Sequence, residues 1–218
     1  MKKILTLLMF IPFASCITLY YQTSVLKTNS DHMKTDNCYE DSVFKVTYNF
    51  WAVGGILKFD IYNKLSVPVY IDWDRSNFIL NGQSVSYANN TILIQKTIAI
   101  PQTIQAVTGK EYYVSLLQTG IMETQLPPHS YITVSRFDLN TPYYGLGHFP
   151  VSKDTIAYTY DTSILHFRNY IGYTTNQDLS DLKFLDNEFW IDKLITARGK
   201  YFNENSVIPY AFYNSYER

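Results

Sequence analysis

The chain has 218 residues, with 18 Lys and Arg against 19 Asp and Glu and a formal net charge of −1. No basic block or stripe runs through it, so the electrostatic footprint of a nucleic-acid binder is absent from the sequence. Its two cysteines, Cys16 and Cys38, are too few for a cysteine-rich zinc site. Stability has to come from packing, for which 20 Tyr and 13 Phe are suited, since aromatics dominate β-rich cores and pleated faces.

The N-terminus opens with Lys2 and Lys3, continues with an apolar run from Ile4 to Phe13 broken by Thr6 and Pro12, and places Ala14 and Ser15 before Cys16. A run of about ten residues is the length of a signal-peptide core, whereas a spanning helix needs about 20. Small side chains fit the narrow groove of a signal protease, so cleavage is expected after Ser15. The string Phe13-Ala14-Ser15-Cys16 resembles the lipobox of bacterial lipoproteins, with Phe13 where the usual pattern has Leu. That resemblance implies a signal peptide over residues 1–15, lipid on the Cys16 thiol, and palmitate-type chains holding the protein to a membrane. Two or three acyl chains anchor stably where one does not. With Cys16 acylated, Cys38 would have no disulfide partner. Loss of residues 1–15 removes two lysines and no acid, which leaves 16 basic and 19 acidic residues and a net charge near −3.

Ile17 follows the cysteine, and no acid occurs before Asp31. The absence of an Asp directly after the cysteine resembles outer-membrane rather than inner-membrane sorting. The absence of an acidic run there, unlike some surface-exposed Bacteroidetes lipoproteins, points to the periplasmic face. Residues 16–41 are polar and without hydrophobic period, and are expected to form a flexible tether. His32 and Cys38 then lie in or beside a segment that cannot preorganise a metal site.

From residue 42 to 218 the sequence reads as one all-β domain. Period-two alternation runs from Val43 to Trp51, Gly54-Gly55 marks a turn, and Ile56 to Tyr62 and Val69 to Trp73 continue as strands. Asn81-Gly82 is the strongest hairpin signal in the chain, with Ser84 to Tyr87 as its return arm. Further strands are predicted over Thr91–Ile98, Tyr112–Leu117, Ser130–Phe137, Thr155–Tyr160, Ile164–Tyr173 and Glu188–Ala197. A short helix or turn is the reading for Leu179 to Leu185. The aromatic ending after Lys200 is either a last edge strand or a tail. Short strands separated by frequent turns argue for an antiparallel sandwich or barrel.

The stretch from Val46 to Gly82, with Leu126–Phe137, His166–Thr175 and Asp186–Leu194, resembles a group of uncharacterised Bacteroidetes lipoproteins with an immunoglobulin-like β-sandwich. The resemblance implies that fold and an envelope location, and no site.

Several constellations have both a chemical and a structural reading. Asp72, Trp73, Asp74 and Arg75 could hold a cation or a sugar hydroxyl; as a strand end they place Trp73 inward and both acids outward, at the sheet rim. The segment Asp138 to Pro150 carries Tyr143, Tyr144, His148 and Phe149 between predicted strands, a candidate binding loop or a connection packed on the end of the fold. Ser42 and Thr155 lie in Asp-Ser/Thr-apolar strings that resemble the O-glycosylation acceptor of Bacteroidetes. No spacing selects a carboxylate pair, no G-x-S-x-G elbow occurs, and no phosphate-binding glycine loop precedes a helix. The expectation is therefore a lipid-anchored envelope protein that acts as a structural or protein-interaction module. No catalytic residue, metal or cofactor is assigned to it. The alternative is a glycan- or ligand-binding module that uses exposed Tyr and Trp, and the last is an enzyme whose acids spacing cannot pair.

Overall fold

A computed structural model describes residues 18–88, 92–96, 114–118, 123–139 and 153–217. Within them the chain is all-β and antiparallel, with one 3-10 turn at Gly199–Tyr201. Alternation builds the smaller sheet. In β4 (Phe44–Tyr48) Phe44, Val46 and Tyr48 are buried, and in β5 (Ile56–Asn63) Leu57, Phe59, Ile61 and Asn63 are. β2 (Met33–Thr35), β3 (Cys38–Glu40) and β11 (Tyr131–Asp138) complete the sheet, in the order β11-β5-β4-β3-β2.

The larger sheet contains β1 (Leu19–Thr28), β6 (Val69–Leu80), β10 (Glu123–Leu126), β13 (His166–Thr174), β14 (Lys183–Arg198) and β15 (Ala211–Glu217). Its order is β10-β6-β13-β14-β1-β15, with β7 (Gln83–Ser86) on β6 and β12 (Lys153–Ala157) on β14. β8 (Ile92–Lys96) and β9 (Val114–Gln118) pair with each other. The 16 residues of β14 make it the spine: β13 and then β12 pair along one side of it, and β1 along the other.

The inner faces of the two sheets meet in one core. Across it, ring centroids lie 4.7 Å apart for Phe44 and Tyr173, 4.8 Å for Tyr48 and Phe189, and 4.7 Å for Phe78 and Phe137. Such pairs add about 0.5–1.5 kcal/mol each beyond their area. A polar thread lies inside it. The Tyr87 hydroxyl donates to Asn169 Oδ1 at 2.7 Å, and Asn169 and Asn187 donate to the Tyr48 hydroxyl at 3.0 and 2.8 Å.

The structure corrects two expectations. Residues 19–28, expected within a tether, form β1, paired with β14 on one side and β15 on the other. Its buried residues include Gln22, Thr23 and Ser24, which the ladder and side-chain bonds such as Gln22 to Thr196 satisfy. A polar buried face carries no hydrophobic period. His32 and Cys38 accordingly sit in a folded corner around β2 and β3, with His32 edge-on to the Tyr39 ring.

Asp72 to Arg75 is not a strand end. β6 continues to Leu80, and the register with β13 jumps from Asp72–Gly172 to Asn77–Tyr170. In this bulge the Ser76 hydroxyl accepts the Gly172 N–H and donates to the Asp72 carbonyl. Asp72 is thus buried together with Trp73, and Arg75 lies 3.3 Å from its carboxylate. Alternation fails where a bulge inserts residues. Of the two readings for Leu179 to Leu185, the turn holds for its first part, where Leu179 and Asp181 adopt positive φ, and Lys183 already opens β14.

Two further sequence signals hold. Asn81 and Gly82 have φ of 47° and 82°, the two left-handed positions of a tight hairpin turn. The aromatic ending is the edge strand β15.

Candidate binding surface

Among the described residues, a groove of mixed apolar and polar lining lies over the end of the larger sheet where β1 starts, with Lys153, Asn203 and Ser206 among its lining residues. Thr23 and Val25 of β1 and Ile195 and Ala197 of β14 form its floor. Its walls are Trp51 and the segment from Tyr201 to Ile208, and the groove holds about 260 Å³. Backbone bonds fix both walls. Phe50 N–H donates to Pro209 O at 2.9 Å, Gly54 N–H to Tyr213 O at 2.8 Å, and Leu26 N–H to Tyr210 O at 2.9 Å.

Gly54 and Gly55, with φ of 76° and 75°, turn the 51–55 loop back onto β15. A Cβ on Gly55 would meet Phe212 at 2.7 Å, so the turn and the packing both require glycine.

The side chains of the walls form an aromatic stack. Phe202 lies 4.0 Å from Tyr21, nearly parallel, and 4.9 Å from Tyr213, which is itself 4.9 Å from Trp51. The Trp51 indole N–H donates to Glu204 O at 3.0 Å, tying the two walls together. Burial in this stack raises the Tyr213 hydroxyl pKa, with Glu204 adding to the shift. Exposed apolar residues accompany the groove: Val53 is 65% exposed, Val207 58% and Tyr201 56%. Tyr201 lines the groove itself, and Val53 and Val207 are neighbours in sequence of its lining residues Trp51, Ser206 and Ile208.

A second, polar cleft of about 420 Å³ lies where β1 stops short of the start of β14. It is lined by Asn29 to His32, Tyr39, Arg168, Phe184, Asp186 and Glu188. Three of its charged groups are engaged: Arg168 forks onto Asp186, and Glu188 accepts from the neighbouring Tyr160 hydroxyl at 3.0 Å. That hydrogen bond raises the Tyr160 hydroxyl pKa. Arg168, Asp186 and Glu188 are thus engaged at this sheet end, and Asp31 and His32 line the cleft beside them. Among the described residues no three His, Cys, Asp or Glu come together as a metal would require.

The sequence-chosen residues are dispersed. Cys16 and the loop residues Tyr143, Tyr144, His148 and Phe149 lie outside the described residues. Ser42 is exposed beside Asp41, whose carboxylate accepts the Val43 and Phe44 N–H groups at 2.7 and 2.6 Å. Thr155 is exposed on β12. Asp41 thus has a turn-forming role of its own. Sequence reading missed the groove, because Trp51 ends a predicted strand and residues 201–210 follow no period. The available signal was the apolar run Val207, Ile208 and Tyr210 in a segment with no strand to bury it.

Against protein-family models, curated proteins and solved structures, the chain has no match. Among the described residues no helix is long and apolar enough to cross a membrane.

Proposed function

We propose that the chain is an exported bacterial lipoprotein, cleaved before Cys16 and acylated there, and that its immunoglobulin-like sandwich is a protein-interaction module at the periplasmic face of the outer membrane. The leader from Lys2 to Cys16 supports the anchor. Two antiparallel sheets sharing one core support the sandwich. The observation that carries the interaction role is the groove walled by Trp51 and Tyr201–Ile208, with exposed Val53 and Val207 beside it.

The groove suits an apolar side chain of a partner, whose burial contributes about 1.5–3 kcal/mol. A sugar is the second reading, since Lys153, Asn203 and Ser206 line the groove beside its rings, although the Trp51 N–H is already bonded to Glu204. Binding, not chemistry, is the activity proposed.

An affinity capture from envelope extract with the acylated full-length protein tests this. Trp51→Ala and Val207→Asp should lose a partner that wild type and the exposed-turn variant Gln177→Ala retain. Equal capture by all four proteins would remove the groove from the function. Intact mass of the native protein tests the anchor separately.

A further inference from the structure

Cys16 precedes Leu19, the first residue of β1, by three positions. Three residues of extended chain reach about 10 Å. Given the acylated cysteine proposed above, on which this inference rests, the domain has no long tether and its body cannot stand far from the bilayer. β1 starts opposite the end of β14, at Tyr20–Arg198, and beside the end of β15, at Leu19–Glu217. That end of the sheet is therefore the one held to the lipid.

Its surface suits the place. Leu19 and Tyr201 are exposed there, Lys200 extends its ammonium over the Tyr201 ring at 4.7 Å, and the exposed Glu217 beside Leu19 is the acid of the tip. Gly199 packs against Leu19, with a position for Cβ only 3.4 Å from the Leu19 carbonyl, so the 3-10 turn and the start of β1 form one continuous tip. Tyrosine with an apolar neighbour and a lysine is the composition that settles in the headgroup layer, ring inward and charge outward.

We propose that this tip, with Leu19, Lys200 and Tyr201, rests in the headgroup layer of a phospholipid bilayer. The larger sheet then stands upright. Lys183, at the other end of β14 beside the exposed turn carrying Gln177, lies roughly 50 Å away along the 16-residue strand. The groove beside Trp51, which Tyr201 also lines, then reaches down to the lipid surface, where a partner seated in the same membrane would meet it.

The test uses acylated full-length protein in phosphatidylethanolamine–phosphatidylglycerol vesicles containing lipid spin-labelled at the headgroup. In a Cys38→Ser background, a fluorophore is placed at Tyr201→Cys or at Gln177→Cys; Cys16 is blocked by its acyl group. The Tyr201 label should lose most of its emission and the Gln177 label none. With the label at Lys200→Cys, adding Leu19→Asp and Tyr201→Asp should restore emission. Equal quenching of the Tyr201 and Gln177 labels, no quenching of either in a chain shown by mass to be acylated, or no restoration by the aspartates would overturn the placement while leaving the anchor intact. A chain shown by mass to lack acyl groups would overturn both.

Discussion

Tyr48 shows how much one hydroxyl can hold. It accepts hydrogen bonds from Asn169 and Asn187 inside a core where all three residues are fully buried. Asn187 Oδ1 has no partner among the described residues. Tyr48→Phe removes the acceptor of two buried amides, and should cost about 1–3 kcal/mol in urea denaturation with little change in shape. Burial also raises the hydroxyl pKa of Tyr48 and Tyr87, and burial followed by the Asp41 hydrogen bond raises that of Tyr39. The folded state keeps protons that the unfolded chain releases near pH 10. Stability from these groups is present below that pH and declines above it. The urea midpoint should hold at about pH 9 and fall by about pH 11, with a shallower fall in Tyr48→Phe.

At the scale of elements, legibility followed the chemistry of each strand's buried face. β4 and β5 were readable because Phe44, Val46, Leu57, Phe59 and Ile61 alternate with polar residues. The β6–β7 hairpin was readable because two left-handed turn positions call for Asn81 and Gly82. β1 was not, since Gln22 and Ser24 are buried at 1% exposure and look like linker residues. The β6 bulge escaped for a related reason: period two assumes one residue per partner, and Asp72 to Asn77 breaks that count. The candidate groove was invisible because its floor and walls come from segments far apart in sequence. If β1 is the inner strand described here, Ser24→Pro should abolish the native fold, because a strand paired on both sides leaves proline no free edge. Loss of the cooperative thermal transition would be the readout; a tether would tolerate the change.

For the molecule as a whole, the shared core couples the sheets. Phe59 belongs to the smaller sheet, while Trp73 and Trp190 lie on the larger one. Phe59→Ala should lower stability by about 3–5 kcal/mol through the cavity it leaves. Tryptophan emission and far-ultraviolet dichroism should shift to the same lower midpoint. Separate midpoints would mean that the sheets unfold independently.

The position of β1 also sets an order of events. It leaves the ribosome before the other strands, yet both its partners lie near the far terminus; Gln22 and Thr196, bonded side by side, are 174 positions apart. The earliest strand synthesised must wait with two bare edges until the last ones arrive, a high contact order that slows folding. A ribosome stalled before Ala211 would leave β1 without its β15 partner and open to association with another chain. Under the export proposed above, that delay would keep the larger sheet open until the C-terminal strands have followed β1 across.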